Sequence, residues 1–321
     1  MKTIFLGTSS GTPTKNRNVS GYVVQEEQSK DWFLVDCGEG TQHQILHASV
    51  SLLNLKAIFI THVHGDHCYG LPGLLASAGL LGRTTKLTIV APKGIQELIQ
   101  AVMVYSDLHI GCEITYLLPE DGEEVYKGDS TRVSAISLSH RVESYAYQFF
   151  ETNVEANLDT TKLMALGVEK GPLWGRLKKG ETIQRENGDE ICGADFLSLT
   201  RKPRSIVVCG DNDEPELLTK ACAEADVLIH EATYTEQVLL QIGSAVQHCS
   251  AERIAKFAEK MGLKNLVLTH FSPRYSDNEK GKFTVDMISH EAQSHYTGNL
   301  ITANDLNVYE LNRSGEFIQL K

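Results

Sequence analysis

Short apolar segments alternate with amphipathic stretches along most of the chain. Several β-rich runs predict strands: Lys2–Leu6, Trp32–Asp36, Ala57–Ile60, Leu87–Val90, Ser205–Val208, Asp226–Ile229 and Asn265–Leu268. Between many of them, apolar residues recur with helical spacing over residues 94–105, 215–225 and 251–261. Strands that alternate with helices predict an α/β fold in which helices cover the faces of the sheet.

One stretch departs from this pattern. Residues 153–200 are polar and rich in glycine, and they carry a basic cluster at Arg176, Lys178 and Lys179. We predict one domain, residues 1–321, with residues 153–200 inserted in it as an arm. An ordinary solvated surface excursion is the alternative for this segment.

Composition and charge narrow the class of protein. Hydrophobic residues make up 41% of the 321 residues, which is typical of a globular protein. We find no signal peptide and no apolar run near the roughly 18 residues of a membrane span, so we expect a cytoplasmic protein without membrane contact. The seven cysteines form no Cys-x-x-Cys pair, which argues against a disulfide framework. A net charge of −11 disfavours indiscriminate nucleic-acid binding, because a polyanion would be repelled.

The strongest chemical signal is the segment Thr61–His67, which reads Thr-His-Val-His-Gly-Asp-His directly after an apolar strand. Four ligand-type side chains within six residues are poor candidates for core packing, and neutral imidazoles and carboxylates suit zinc and similar metals. His62 and His64 are spaced to face one ion, while Asp66 and His67 lie further round the turn, where they can address a second ion.

Further ligand-type residues follow other predicted strands, where open α/β sheets usually carry their sites. They are His140, Asp211 and His270. We predict two metal sites that share Asp211 as a bridge. The first consists of His62, His64, His140 and Asp211, and the second of Asp66, His67, Asp211 and His270.

With these motifs the chain resembles the metallo-β-lactamase superfamily and, within it, the ribonuclease Z family of tRNA 3′-processing endonucleases, whose bacterial form is also called ribonuclease BN. The metal motif alone is shared with β-lactamases, thioesterases and arylsulfatases, whereas the arm and the pair Glu231 and His248 are more discriminating. The resemblance covers nearly the whole chain and is carried by Phe5–Pro13, Asn16–Asn18, Asp36–Gln42, His62–His67, Gly171–Gly180, Gly210–Asp211, His230–Thr233, His248 and Thr269–Tyr275.

The resemblance implies an αβ/βα four-layer sandwich with a flexible inserted arm. It also implies hydrolysis of the phosphodiester 3′ of the discriminator nucleotide in precursor tRNA, which leaves a tRNA 3′-OH. Additional 3′ exonuclease and small-phosphodiesterase activities are compatible with it. The cofactors implied are two divalent ions per subunit, zinc first and manganese or cobalt as alternatives, and the implied assembly is a homodimer in which one subunit's arm presents RNA to the other's metal site.

The resemblance also implies roles for individual residues. Asp66 would accept the proton of the nucleophile, and His248 would act as general acid with Glu231 orienting it. Capping of the helix that begins near Ala251, for His248, and a buried ion pair, for Glu231, are the structural alternatives. The predicted contacts with RNA are Arg17, Arg274, Arg176, Lys178 and Lys179; surface ion pairing is the alternative for the first two.

Two residues depart from the family pattern. Cys249 follows the predicted acid, where the family often has serine, and Asn212 follows the bridging aspartate, where threonine is usual. Neither change removes a ligand, so we expect activity. A thioester or ester hydrolase, which needs the same metals but no basic arm, and a non-catalytic RNA-binding protein are the alternative functions.

Overall fold

The computed structural model describes residues 1–120, 123–185, 188–277 and 281–320. The strands found in these ranges are β1 (Lys2–Gly7), β2 (Gly21–Gln25), β3 (Trp32–Val35), β4 (Leu55–Phe59), β5 (Leu87–Val90), β6 (Ile114–Leu117), β7 (Glu124–Lys127), β8 (Thr131–Leu138), β9 (Ser144–Glu151), β10 (Ala156–Leu158), β11 (Thr182–Gln184), β12 (Glu190–Cys192), β13 (Leu197–Leu199), β14 (Ser205–Cys209), β15 (Val227–Glu231), β16 (Asn265–Thr269), β17 (Asn299–Thr302), β18 (Val308–Leu311) and β19 (Phe317–Leu320).

The α-helices of the same ranges are α1 (Thr41–Ile45), α2 (Gly65–Cys68), α3 (Leu71–Leu80), α4 (Ile95–Tyr105), α5 (Thr160–Ala165), α6 (Pro172–Lys178), α7 (Thr219–Cys222), α8 (Glu236–Ile242), α9 (Ala251–Met261) and α10 (Val285–Gln293). Within the described part of the chain, no helix is both long and apolar enough to cross a membrane.

Contacts divide the chain into two units. The larger unit comprises Met1–Phe150 and Arg204–Lys321, and the smaller unit is Glu151–Pro203. The segment predicted as an arm, residues 153–200, falls within the smaller unit, except that Glu186 and Asn187 lie outside the described residues.

The larger unit contains two sheets. The first has the strand order β19-β18-β1-β2-β3-β4-β5-β6, and its neighbours from β3 to β6 are parallel. The second has the order β17-β16-β15-β14-β9-β8-β7, and its neighbours from β17 to β14 are parallel. In each sheet the parallel strands deliver their carboxyl ends, and the loops that follow, to one edge.

Side chains alternate between the two faces of each sheet and thereby build four layers. In β1, Phe5 packs into the core between the two sheets, whereas Ile4 and Leu6 face the core beneath α1 to α4. The rings of Phe59 and Phe149 join the two sheets with centroids 5.3 Å apart. The outer face of the second sheet packs against α7 to α10. The order of layers is therefore helix, sheet, sheet, helix.

Helix boundaries follow local signals. Helix α9 spans the predicted residues 251–261: the Ser250 hydroxyl accepts a hydrogen bond from the Arg253 N–H at 3.2 Å, and Gly262 ends the helix with a φ of 62°. The helix predicted over 215–225 is instead a 3-10 turn, Pro215–Leu218, followed by α7. Here the Thr219 hydroxyl donates to the Glu216 carbonyl at 2.6 Å, a local bond that competes with regular helix.

The smaller unit has a core of its own. Helices α5 and α6 pack with the two-stranded sheets β10–β13 and β11–β12 around a few buried aliphatic side chains: Leu163, Val168, Leu177, Ile183 and Ile191. Arg201 donates two hydrogen bonds of 2.6 Å to the Glu151 carboxylate, which ties together the two ends of this unit.

Candidate metal centre

The ligand-type residues lie where strands of the larger unit end. The segment from His62 to His67 follows β4, and His140 follows β8. Asp211 follows β14, Glu231 is the last residue of β15, and His270 follows β16. Apolar strands that stop at a polar side chain therefore deliver all of these residues to the same edge of the sandwich.

Potential metal-binding atoms collect into groups in which every pair lies within 4.8 Å. One group consists of His62, His64, His140 and Asp211. A second consists of Asp66, His67 and His270. The first group is the predicted first set, and the second group is the predicted second set without Asp211.

The Asp211 carboxylate lies between the two groups. Its Oδ2 is 3.6 Å from His62 Nε2 and 3.7 Å from His140 Nε2. Its Oδ1 is 3.5 Å from His67 Nε2 and 3.3 Å from His270 Nε2. Each oxygen thus faces one group, which is the arrangement that a bridging carboxylate requires.

The spacing of these donor atoms fits divalent metals. In a tetrahedral site with bonds of about 2.0–2.1 Å, neighbouring donor atoms are about 3.4 Å apart. His64 Nδ1 and His140 Nε2 are 3.2 Å apart, as are His67 Nε2 and His270 Nε2. His62 Nε2 is buried and has no hydrogen-bond partner among the described residues, although buried polar atoms normally have one.

The charge states of the buried histidines and carboxylates are also compatible with bound cations. Burial, reinforced by the neighbouring His67, lowers the pKa of His62 well below its usual value, so this ring stays neutral, the form that binds metals. Burial would lower the pKa of His67 too, but the carboxylates of Asp66, Asp36 and Asp211 outweigh it and raise that pKa well above its usual value. Three carboxylates around one buried ring call for positive charge, which bound cations would supply.

Outer hydrogen bonds fix the orientation of the rings. Asp36 Oδ2 accepts from His67 Nδ1 at 2.6 Å, and the Thr61 Oγ1 lies 3.0 Å from His62 Nδ1. Further partners of this kind are the Gln247 carbonyl, 2.8 Å from His140 Nδ1, and Thr233 Oγ1, 3.1 Å from His270 Nδ1. Such partners hold each ring so that its other nitrogen faces the metal.

None of these outer partners was predicted to bind a metal or to act in catalysis. Asp36 could have been identified from the sequence, because it ends a predicted strand and begins the segment Asp36–Gln42, which carries part of the family resemblance. Gln247 contributes only its backbone carbonyl, which leaves no trace in the identity of the residue.

Backbone geometry holds the ends of the strands in place. Asp36 and His270 have φ angles of 59° and 57°, in the left-handed region that residues other than glycine seldom adopt. A side chain at Gly210 would come within 2.6 Å of Thr61 Cβ, so glycine allows the strand before Asp211 to approach Thr61. The unusual backbone geometry therefore occurs at or next to residues of the candidate metal centre.

His248 and Glu231 form a pair beside the cluster. His248 Nδ1 donates to Glu231 Oε2 at 3.0 Å, and Glu231 is almost completely buried. Burial disfavours the charged ring, but the Glu231 carboxylate raises the pKa of His248. His248 does not cap helix α9, because Ser250 occupies that position.

The predicted RNA contacts differ in their surroundings. Arg17 is buried: its guanidinium donates to Asp277, Thr8, Asn304 and the Ala303 carbonyl at 2.7–2.8 Å. We therefore correct the prediction for this residue, because its donors are engaged within the protein.

The other predicted contacts are exposed. Arg274 is exposed, with its guanidinium 5.3 Å from the Tyr234 ring centroid. In the smaller unit, Arg176 pairs with Glu181 at 2.8 Å. Lys178 and Lys179 are exposed and have no ion-pair partner in the described part of the unit.

The two departures from the family pattern lie behind the ligands. Asn212 is buried, and its amide nitrogen Nδ2 lies 3.1 Å from His230 Nε2, while its backbone N–H donates to Glu231 at 2.8 Å. Cys249 is buried in the core beneath α9, and burial raises the pKa of its thiol. Both residues pack behind the site.

Comparison with known proteins gives the following matches. Residues 1–111, about a third of the chain, match a family model described as Anti-Pycsar protein Apyc1. A ribonuclease Z from Pseudomonas putida (strain W619) is 49% identical over 315 residues, which cover 98% of both chains.

Solved structures give similar results. The crystal structure of the short form of human tRNase Z has a TM-score of 0.67 and 25% identity, and the match covers 97% of this chain and 99% of that one. A metallo-β-lactamase fold protein from Bacillus subtilis has a TM-score of 0.65 and 18% identity, covering 96% and 98%. The predicted αβ/βα fold is thereby confirmed.

We expect Asp36→Asn to weaken zinc binding about 10- to 100-fold, because asparagine tolerates the left-handed backbone but leaves the His67 proton without a charged acceptor. Titration of metal-free protein against a chromophoric zinc chelator measures the affinity, and circular dichroism monitors the fold. The control is Asp129→Asn, at an exposed position between β7 and β8. Unchanged affinity in a folded variant would limit Asp36 to a structural role.

Proposed function

Because the chain belongs to the ribonuclease Z family, we propose that it hydrolyses precursor tRNA at the phosphodiester 3′ of the discriminator nucleotide and leaves a 3′-hydroxyl on the tRNA. The observation that carries this proposal is the Asp211 carboxylate, shared between two groups of donor atoms with the His248–Glu231 pair beside it. Such a site suits attack on a phosphodiester whose leaving group needs a proton. We also propose a cytoplasmic location, where such an RNA is found.

We propose that His62, His64, His140 and Asp211 hold one divalent ion, and that Asp66, His67, Asp211 and His270 hold the other. Zinc is the metal we propose, and manganese and cobalt suit the same donor set. When bound, such ions lower the pKa of water and offset the negative charge on the phosphate oxygens.

Asp66 is the proposed acceptor of the proton that the attacking water loses. Its Oδ2 accepts a hydrogen bond from the Gly11 N–H at 2.6 Å and lies 3.4 Å from His270 Nε2. The carboxylate is therefore held at the edge of the second group. As the water oxygen joins the phosphorus, the bond between phosphorus and the ribose 3′ oxygen breaks.

His248 is the proposed donor of a proton to that 3′ oxygen. Glu231 occupies its Nδ1 and favours the protonated ring, which leaves Nε2 for the leaving group. Glu231 is itself fixed by hydrogen bonds from the Thr233 hydroxyl and the Asn212 N–H. It acts as a positioning residue that works through His248.

The smaller unit is the proposed RNA-binding arm. Exposed Lys178 and Lys179 give local positive charge on a protein with a net charge of −11. Basic side chains of this kind bind RNA phosphates at a distance from the cleaved bond.

A homodimer is the proposed assembly. The carboxyl-terminal ends of α3 and α4 expose large apolar side chains: Leu80 by 90%, Leu81 by 60%, Val104 by 75% and Tyr105 by 90%. The two helices also border a common groove lined by Pro72, Ala76 and Val102. Apolar clusters of this kind usually mark interaction sites, and we propose a second copy of the chain as the partner.

The first prediction concerns the substrate. Protein supplied with zinc should cleave a 3′-extended precursor tRNA after the discriminator nucleotide, as read at nucleotide resolution on a sequencing gel. His64→Ala should lose more than about 100-fold in rate, because it removes a proposed ligand. His109→Ala, at an exposed histidine, should match the wild type. An intact precursor alongside turnover of a thioester would exclude tRNA as substrate and favour an ester hydrolase.

The second prediction concerns proton donation. His248→Ala should slow precursor cleavage roughly 10²- to 10⁴-fold but should slow hydrolysis of bis(p-nitrophenyl) phosphate much less, since nitrophenolate departs without a proton. Single-turnover rates on both substrates measure the difference. Glu231→Gln should show the same bias with a smaller loss, because it keeps the hydrogen bond and removes the charge. Equal losses on both substrates would contradict the role of His248 as general acid.

The third prediction concerns the arm and the dimer together. Lys178→Glu/Lys179→Glu and His64→Ala should each cleave precursor tRNA poorly, but subunit exchange between them should restore about a quarter of wild-type activity. Mixed dimers would combine an intact arm with an intact metal site on the other subunit. The control is a mixture of His64→Ala with Lys220→Ala, a variant at an exposed lysine of the larger unit. It gives the activity expected when subunits exchange and every arm is intact. No recovery after verified exchange would contradict presentation between subunits.

A further inference from the structure

Arg141 lies beside the candidate metal centre and has no assigned role. It directly follows His140 in the connection between β8 and β9, and its side chain is exposed. Among the described residues it has no hydrogen-bond or ion-pair partner.

Most other arginines of the larger unit are engaged within the protein. Arg17, Arg204 and Arg253 bind carboxylates, as does Arg313, and Arg83 donates to four backbone carbonyls. Acidic residues outnumber basic ones by 41 to 30, so carboxylate partners are abundant. An arginine without a carboxylate on such a surface is available to an external anion.

The position of Arg141 points to the anion. Arg141 is the chain neighbour of His140, which belongs to the first donor group. The rings of His140 and His248 are themselves 5.2 Å apart. Arg141 therefore borders the cleft in which a phosphodiester would meet His248.

Arg274 is a second exposed arginine near His248. Its guanidinium covers Tyr234, and the Tyr234 ring meets the His248 ring with centroids 6.1 Å apart. Two exposed arginines therefore neighbour residues whose rings contact His248: Arg274 covers Tyr234, and Arg141 follows His140 in the chain. An RNA strand that crosses His248 carries further phosphates on both sides of the cleaved bond.

We propose that Arg141 binds a non-bridging oxygen of a phosphate adjacent to the cleaved one, on the side of the site formed by His64 and His140. This inference rests on the proposed function and deepens it. A guanidinium can donate two parallel hydrogen bonds to a phosphate, so it fixes the position of the strand and also attracts it. Arg141 thereby sets the register in which the phosphodiester enters the site.

The experiment combines protein variants with single neutral phosphates. Precursor tRNA is assembled with one methylphosphonate at each position flanking the cleaved bond, and the same neighbouring 2′-O-methyl groups are present in every substrate. The values of kcat/KM are measured for the wild type, Arg141→Ala, Arg141→Lys and the control Arg313→Ala, whose exposed ion pair with Glu27 is remote in sequence from the site.

We expect Arg141→Ala to lower kcat/KM on the unmodified precursor roughly 10- to 100-fold, the usual effect of removing a hydrogen bond to a charged group. At one flanking position, the neutral phosphate should cost the wild type a similar factor and add no further loss to Arg141→Ala. Arg141→Lys should recover part of the loss, and Arg313→Ala should behave as the wild type.

Two results would overturn the inference while leaving the proposed function intact: full activity of Arg141→Ala, or losses that multiply independently at every modified position. Independent losses would mean that Arg141 touches none of the tested phosphates. Failure of the wild type to cleave the unmodified precursor would instead overturn the proposed function, and the inference with it.

Discussion

The Asp211 carboxylate is the point on which the arrangement of the site depends. Its two oxygens face two different sets of imidazoles, so any shift of β14 would disturb both sets together. The fold secures this position by contacts between the two sheets. Gly210 allows a close approach to Thr61, and the Tyr147 hydroxyl donates to the Ile60 carbonyl at 2.7 Å. The packing between the two sheets therefore also fixes the geometry of the site.

The residues that would hold the cations and those that would hold the substrate carry opposite charges. Carboxylates concentrate around the buried histidines, where burial strengthens their attraction for cations. The same carboxylates would repel RNA, so positive groups are needed around the opening. Arg274 is exposed against Tyr234 beside His248, and Arg141 is exposed directly after His140, whereas the guanidinium of Arg17 binds residues of neighbouring loops. A net charge of −11 is thus compatible with exposed arginines next to the site.

Most of the fold, and the residues whose donor atoms the structure brings together, could be predicted from the sequence, because apolar strands that stop at histidine or aspartate are visible locally. The outer partners could not be predicted in the same way. Asp36 reaches His67 from another strand, and the Gln247 carbonyl belongs to the backbone. The prediction that Arg17 contacts RNA needed correction for a related reason. An arginine in a polar loop looks the same in the sequence whether its guanidinium faces solvent or is buried among acceptors.

The two residues that depart from the family pattern occupy buried positions behind the candidate site. Asn212 still uses its backbone N–H to fix Glu231, a contact that any residue other than proline can make. Cys249 directly follows His248 and is completely buried, so its side chain packs as a small apolar group. The Glu231 contact of Asn212 therefore depends on the backbone, and the packing of Cys249 depends on volume. The groups that present a specific nitrogen or oxygen to the centre have no such substitute, because each contributes through its own side-chain atom.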